Sequence, residues 1–168
     1  TIELTEVGKL FVTSKRKEEI LLRQLLKFQF PSPFHTQSTQ GNSDFWVKPY
    51  LEILRLIYHF GTLSFDEIML FGLQMISYKM FDDIVQKIED FRIEKIKYKG
   101  KYKQLKASIQ EHIILRLFDE EIKSGKIKTR ESNEKSIRKF ILTKSSNMRD
   151  YTDACFRYLR STGIVNVS

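Results

Sequence analysis

Apolar side chains recur three and four positions apart along nearly the whole chain, a period that favours helices over strands. Ile109, Ile113, Ile114, Leu117 and Phe118 form one such stripe; Phe81, Ile84, Val85, Ile88 and Phe91 form another. Strict alternation, the mark of half-buried strands, is confined to a few short pieces. The predicted class is therefore mainly α. Apolar runs of four residues or fewer fall far short of the roughly 20 that span a bilayer, so no membrane partner is expected. No basic-then-apolar leader opens the sequence.

The helix ends are punctuated by residues with specific chemistry. Thr5 is placed to cap a short helix carrying Val7, Leu10 and Phe11. A second helix starts near Ser14, carries Ile20, Leu21, Leu22, Leu25, Leu26 and Phe28, and ends before Pro31-Ser32-Pro33. The polar stretch from His35 to Asp44 reads as a surface loop. Pro49 suits the first turn of the next helix and Gly61 its end. Leu51, Ile53, Leu54, Leu56, Ile57, Tyr58 and Phe60 make that helix apolar on nearly every side, and it is predicted to be the most buried. Ser64-Phe65-Asp66-Glu67 has the spacing of a capping box.

Residues 96–105 leave two readings open: a basic hairpin, since Ile96-Lys97-Tyr98 alternates, or the end of one helix and the restart of another. Ser124-Gly125 stops the next stripe, and Ser132 is placed to cap a helix bearing Ile137, Ile141 and Leu142. A last helix is predicted from about Met148 to Thr162, with Gly163 as its stop and Ile164 to Val167 as a following strand.

Short helix, capped turn, helix and strand is the order of a winged helix-turn-helix. The expected architecture is mainly α, with winged helix-turn-helix subdomains and short wing strands; Ile2-Glu3-Leu4 reads as the last strand of one wing. Three blocks follow: residues 1–34 as the end of a preceding winged-helix unit plus helices, 45–106 as a central winged-helix-like unit, and 107–168 as a basic helical recognition unit. Both ends read as cut through structure, so the chain is taken as a fragment of something longer.

The formal charge of +8 over 168 residues is unevenly distributed along the sequence. Residues 1–91 hold ten Lys and Arg against twelve Asp and Glu, a net −2; residues 92–168 hold nineteen against nine, a net +10. One basic concentration runs from Arg92 to Lys106 and the other from Lys123 to Arg149. Such a field attracts polyanions, because each neutralised phosphate releases condensed counterions.

On the last helix Arg149, Asp153, Arg157 and Arg160 are spaced to share one face, leaving Tyr151, Ala154, Cys155, Tyr158 and Leu159 for the core. Arginine on a helix in the major groove pairs with guanine O6 and N7. Asn147, Arg149, Arg157 and Arg160 are the candidates for reading bases, with Asp150 a lesser one. A plain salt ladder through Asp153 is the competing reading of the same spacing. Lys126, Lys128, Arg130, Lys135, Arg138 and Lys139 are the candidates for phosphates, which position a protein without specifying sequence.

The same residues offer little to catalysis. His35, His59 and His112 are scattered without metal-ligand spacing, and there is no Gly-rich phosphate loop. The lone cysteine, Cys155, excludes an intrachain disulfide, fits a reducing compartment and reads as a core residue. The one Glu-x-Lys, Glu121-Ile122-Lys123, falls at a helix end beside Asp119 and Glu120. No catalytic residue, metal ligand or cofactor is predicted within these residues.

Leu4-Thr5-Glu6-Val7-Gly8-Lys9, Leu25-Leu26-Lys27-Phe28-Gln29-Phe30-Pro31-Ser32, Gly61-Thr62-Leu63-Ser64, Asp150-Tyr151-Thr152-Asp153-Ala154 and Arg157-Tyr158-Leu159-Arg160-Ser161-Thr162-Gly163 occur in that order. Over essentially its whole length the chain resembles the DNA-recognition region of the AlwI-like type IIS restriction endonucleases and their nicking relatives. The resemblance implies a multi-domain bacterial cytoplasmic enzyme whose winged-helix subdomains bind a short asymmetric site in double-stranded DNA. It also implies a separate nuclease domain of the PD-(D/E)xK type that cuts with Mg²⁺, and it leaves room for pairing of the parent with a second nuclease subunit. The expected function is sequence-specific duplex binding, with the nuclease domain absent from this chain. Two other readings stay open: a winged-helix transcription regulator, and a helical protein-interaction module whose basic half docks an acidic partner.

Overall fold

The computed structural model describes residues 2–30, 46–125 and 134–167. Most of them fall in eight α-helices: α1 (Glu6–Thr13), α2 (Lys17–Lys27), α3 (Pro49–Phe60), α4 (Phe65–Leu70), α5 (Phe81–Lys97), α6 (Tyr102–Leu117), α7 (Asp119–Lys123) and α8 (Glu134–Ser161). The molecule is mainly helical, as the apolar period requires. Pro31-Ser32-Pro33, the stretch from His35 to Asp44 and the cap expected at Ser132 lie outside the described residues.

Local punctuation acts as its chemistry dictates. The Thr5 hydroxyl accepts from the Gly8 N–H at 3.1 Å and starts α1. Ser64 and Glu67 close the capping box: the Ser64 hydroxyl accepts from the Glu67 N–H, and the Glu67 carboxylate accepts from the Ser64 N–H at 2.6 Å. Gly61 (φ 73°) and Gly163 (φ 70°) end α3 and α8 in the left-handed region, where a Cβ is disfavoured.

Three expectations are corrected and one open alternative, at residues 96–105, is decided. Among the described residues there is no strand, only the isolated bridges Phe30–Val47 and Trp46–Ser77. Ile2-Glu3-Leu4 and Ile164 to Val167 therefore form no wing strands: without a neighbouring strand an extended segment has no ladder to join. Residues 96–105 are not a hairpin. Tyr98 N–H reaches Glu94 O at 2.9 Å, Lys101 N–H reaches Tyr98 O at 2.8 Å, and a 3₁₀ turn at Lys99–Lys101 passes α5 directly into α6. The last helix does not begin near Met148, because α8 runs unbroken through Ser145-Ser146-Asn147, which contains neither Pro nor Gly to stop it. Finally, α3 is one-sided. Ile53 and Leu56 are buried, whereas Tyr58 is 93% exposed and Leu51 is also open to solvent.

Two compact units result. The first comprises Thr1–Thr62, Met75–Phe81 and Asp153–Ser168; the second comprises Leu63–Gln74 and Asp82–Thr152. In the first, α1 packs on α2 and α2 on α3, around a small core of Val47, Ile53, Leu56, Met75, Cys155 and Leu159. Neither α1 nor α2 has a buried residue. A chain of edge-on rings runs through this unit: Phe30 to Phe28 at 5.0 Å between centroids, Phe28 to Tyr50 at 5.8 Å and Tyr50 to Tyr158 at 6.2 Å.

In the second unit the core is larger and more apolar. Ile68, Leu70, Phe71, Ile84, Ile88, Phe91, Ile113, Ile114 and Phe140 are all buried. Phe71 and Phe91 meet edge-on at 5.4 Å, as do Phe118 and Phe140. The α4 helix packs on α6.

Candidate nucleic-acid interface

The cationic residues of α8 are best taken unit by unit. In the second unit Arg138, Lys139 and Arg149 are exposed. Lys144 differs: its ammonium sits 4.0 Å from the Phe118 ring centroid and 5.1 Å from that of Phe140, so it closes the core rather than facing solvent freely. Arg149 lines a shallow hollow of about 290 Å³ with Lys106, Gln110, Ser145 and Ser146. Arg138 lines a hollow of about 580 Å³ bounded by Ala107, Gln110 and Glu111 of α6 and by Ile137 and Ile141 of α8. Neither arginine forms an ion pair among the described residues.

Asn147 is exposed but stands apart from Arg149. In a continuous helix residues two positions apart are rotated by about 200°, so the unbroken α8 turns Asn147 away from the face that presents Arg149. Lys126, Lys128 and Arg130 lie outside the described residues, and so does the side chain of Lys135.

In the first unit Arg157 and Arg160 are exposed. Arg157 Nε lies 3.1 Å from Asp153 Oδ2, so one rung of the salt ladder exists. Arg160 takes no part in it among the described residues. The face expected to be core is only partly so. Cys155 and Leu159 are buried as predicted, whereas Tyr151 and Tyr158 are substantially exposed. Thr152 at the end of the second unit is fully buried instead, its hydroxyl donating to Met148 O at 2.7 Å. A small β-branched side chain that satisfies its own hydroxyl fits a helix's inner line better than a tyrosine needing an outside partner.

Burial alone pushes the Cys155 thiol up to about 12, which keeps it neutral and unreactive. Tyr50 is pushed up to about 12 as well, first by burial and then by the nearby Cys155 and Tyr158. His59 is held between rings, 4.8 Å from Phe60 and 6.2 Å from Phe81, and His112 is exposed. Glu121-Ile122-Lys123 ends the five-residue α7, where Lys123 pairs with Asp119 at 2.6 Å in full view of solvent.

The arrangement that local sequence did not reveal is around the first turn of α4. Arg92 of α5 donates through Nε to Glu67 Oε1 at 2.6 Å. Burial pushes the Glu67 carboxyl up, but the Arg92 and Ser64 hydrogen bonds and the Arg92 charge together bring it below its ordinary value. Tyr102 donates to Asp66, and Lys106 Nζ reaches Asp66 Oδ1 at 3.2 Å. These partners stand 25 to 40 positions apart in sequence, so no periodicity could have paired them.

The spatial units also redraw the charge map. The first holds eleven Lys and Arg against seven Asp and Glu, the second eighteen against fourteen, so each carries a net +4. The asymmetry seen along the sequence is thus not an asymmetry between units.

Among the described residues no helix is long and apolar enough to cross a membrane. None of their His, Cys, Asp and Glu side chains form a group of three or more that could hold a metal ion. The family model described as AlwI restriction endonuclease matches residues 1–168, the whole chain. A search of curated proteins found no match.

Proposed function

The chain belongs to the AlwI restriction endonuclease family, and from that premise we propose that it binds double-stranded DNA sequence-specifically, as the recognition part of a type IIS-like restriction or nicking enzyme. Family membership makes DNA the substrate class. The observation that carries the finer reading is the state of the α8 arginines: Arg149 and Arg160 are exposed on a 28-residue helix and neutralised by no acid among the described residues. A guanidinium presented this way is available for bidentate pairing with guanine, worth roughly 1–3 kcal/mol of discrimination at each position read. Wing strands are not needed for this, since a helix alone fits the major groove.

Arg157 is shared with Asp153 and must exchange one partner for another on binding. Arg138 and Lys139 supply phosphate contacts. Mg²⁺ is the metal that the restriction-endonuclease resemblance implies, but the described residues offer no clustered acids to hold it. No cleavage step is therefore assigned to them.

Selection of bound sites from a randomised duplex pool tests the proposal. The full chain should enrich one short asymmetric sequence, and Arg149→Ala or Arg160→Ala should relax the preference at single positions. Lys139→Ala should instead weaken all sequences alike. Absence of duplex binding, or binding without steep salt dependence, overturns the reading.

A further inference from the structure

We infer that the turn joining α5 to α6 is a second DNA-backbone surface, in which Lys97, Lys99, Lys101 and Lys103 take the phosphates of the duplex. The inference rests on the DNA-binding reading above and adds to it a site on other elements than α8.

Lys95, Lys97, Lys99, Lys101 and Lys103 are all exposed, and the sequence holds no Asp or Glu between Glu94 and Glu111. The acids contributed from outside the turn, Asp66 and Glu67 of α4, are already engaged by Lys106 and Arg92. Lys95 leans over the Tyr102 ring at 4.9 Å. The remaining four lysines form no ion pair among the described residues.

Lys97 in the last turn of α5 suits that helix's dipole, but the charges that follow it work against the fold. Lys101 is the residue before the first turn of α6 and Lys103 lies within that turn, which contains no acid. Positive charge at a helix N-terminus opposes the helix dipole and the unpaired N–H groups there. The lysines also repel one another. A polyanion relieves both costs at once.

The turn is held firmly enough to present them. Arg92 before it and Tyr102 and Lys106 after it are tied to adjacent acids on one turn of α4. Both flanks of the basic segment are therefore fixed to the same base, so its lysines are pre-placed rather than trailing from a loose loop. Lysine ammoniums suit phosphates as point charges and read no sequence.

The test is a full chain in which Lys97, Lys99, Lys101 and Lys103 are all changed to Gln, titrated against specific and random duplexes between about 50 and 200 mM salt. The expected result is equal weakening for both duplexes and a salt slope shallower by about 0.9 for each lysine on a phosphate. The melting temperature should change little, since Lys101 and Lys103 oppose the α6 dipole while Lys97 favours that of α5; a large drop would mark a purely structural role and overturn the inference. The corresponding four Lys→Arg changes should preserve the slope, and a loss as large as with Gln would also overturn it. Steep binding by the original chain with an unchanged slope in the Gln variant sinks this surface but spares the proposed function. Failure of the original chain to bind duplex sinks both.

Discussion

Within themselves the two units are held by different forces. In the second, charged side chains bridge elements distant in sequence: Arg92 to Glu67, Lys106 to Asp66, Tyr102 to Asp66. In the first, the pairs Lys9–Glu6, Arg23–Glu19, Arg55–Glu52 and Arg157–Asp153 are local, three or four residues apart on one helix. Its long-distance ties include ring edges, two isolated bridges and the Arg55 guanidinium 4.0 Å over the Phe81 ring. The lesson is that similar net charge conceals different uses of charge. One unit spends acids on tertiary structure and so leaves lysines unmatched beside them. The other keeps its acids in local pairs and relies on apolar contact.

The largest test of this contrast is a core truncation. Ile84→Ala, at a position with no exposure, should cost about 2–5 kcal/mol in urea unfolding. Leu10→Ala in α1, which buries nothing, should stay within about 0.5 kcal/mol of the original chain. Equal costs would mean that α1 is as firmly packed as the second unit's core.

Next comes the charged tie. Glu67→Gln removes the charge that pairs with Arg92 and one of the two acceptor oxygens, while the amide oxygen keeps an acceptor for the Ser64 N–H of the capping box. We expect about 2–3 kcal/mol, below the 3–5 of a fully buried pair, because Arg92 is 35% exposed. The sign with pH is set by the lowered Glu67 value. The folded chain binds this proton less readily than the unfolded chain, so the contribution is complete above the unfolded value, near 4.5. It is lost as pH falls through the lower folded value. Unfolding followed from about pH 5 downward through the acid range should show this slope in the original chain and less of it in Glu67→Gln.

Tyr158→Ala should be milder, about 0.5–1.5 kcal/mol for one edge-on ring contact, and insensitive to acid. The smallest effect is on reactivity. Cys155, neutral and buried, should resist a thiol reagent at pH 8 in the native chain and react at once in denaturant. Fast labelling of the native chain would show that the first unit opens readily.

How far these features were legible depends on their range in sequence. Caps at Thr5 and Ser64 and stops at Gly61 and Gly163 were readable because each involves neighbours within a few residues. The wing strands were misread at Ile2-Glu3-Leu4 and Ile164 to Val167 because a strand is defined by its partner, which local pattern does not supply. The arginine spacing on α8 correctly indicated exposed Arg149, Arg157 and Arg160, while the opposite face was misjudged. Tyr151 and Tyr158 have the right apolarity for a core, but Thr152 fits it by size and by satisfying its own hydroxyl. The anchors of the basic turn were hidden altogether, since Asp66 and Glu67 looked fully explained as first-turn acids.

The interleaving of the units bears on the order in which the chain acquires structure as it leaves the ribosome. The second unit has all its residues once Thr152 has been made, whereas the first, although it starts earlier, needs Asp153–Ser168 to seat Cys155, Leu159 and Tyr158. Synthesis is vectorial and folding follows the availability of partners, so the later-starting unit is the one that closes first. Tyr50, Ile53 and Leu56 of α3 must wait for Cys155, Leu159 and Tyr158 of α8 to complete their core, and nascent-chain proteolysis should find α3 the more vulnerable until then.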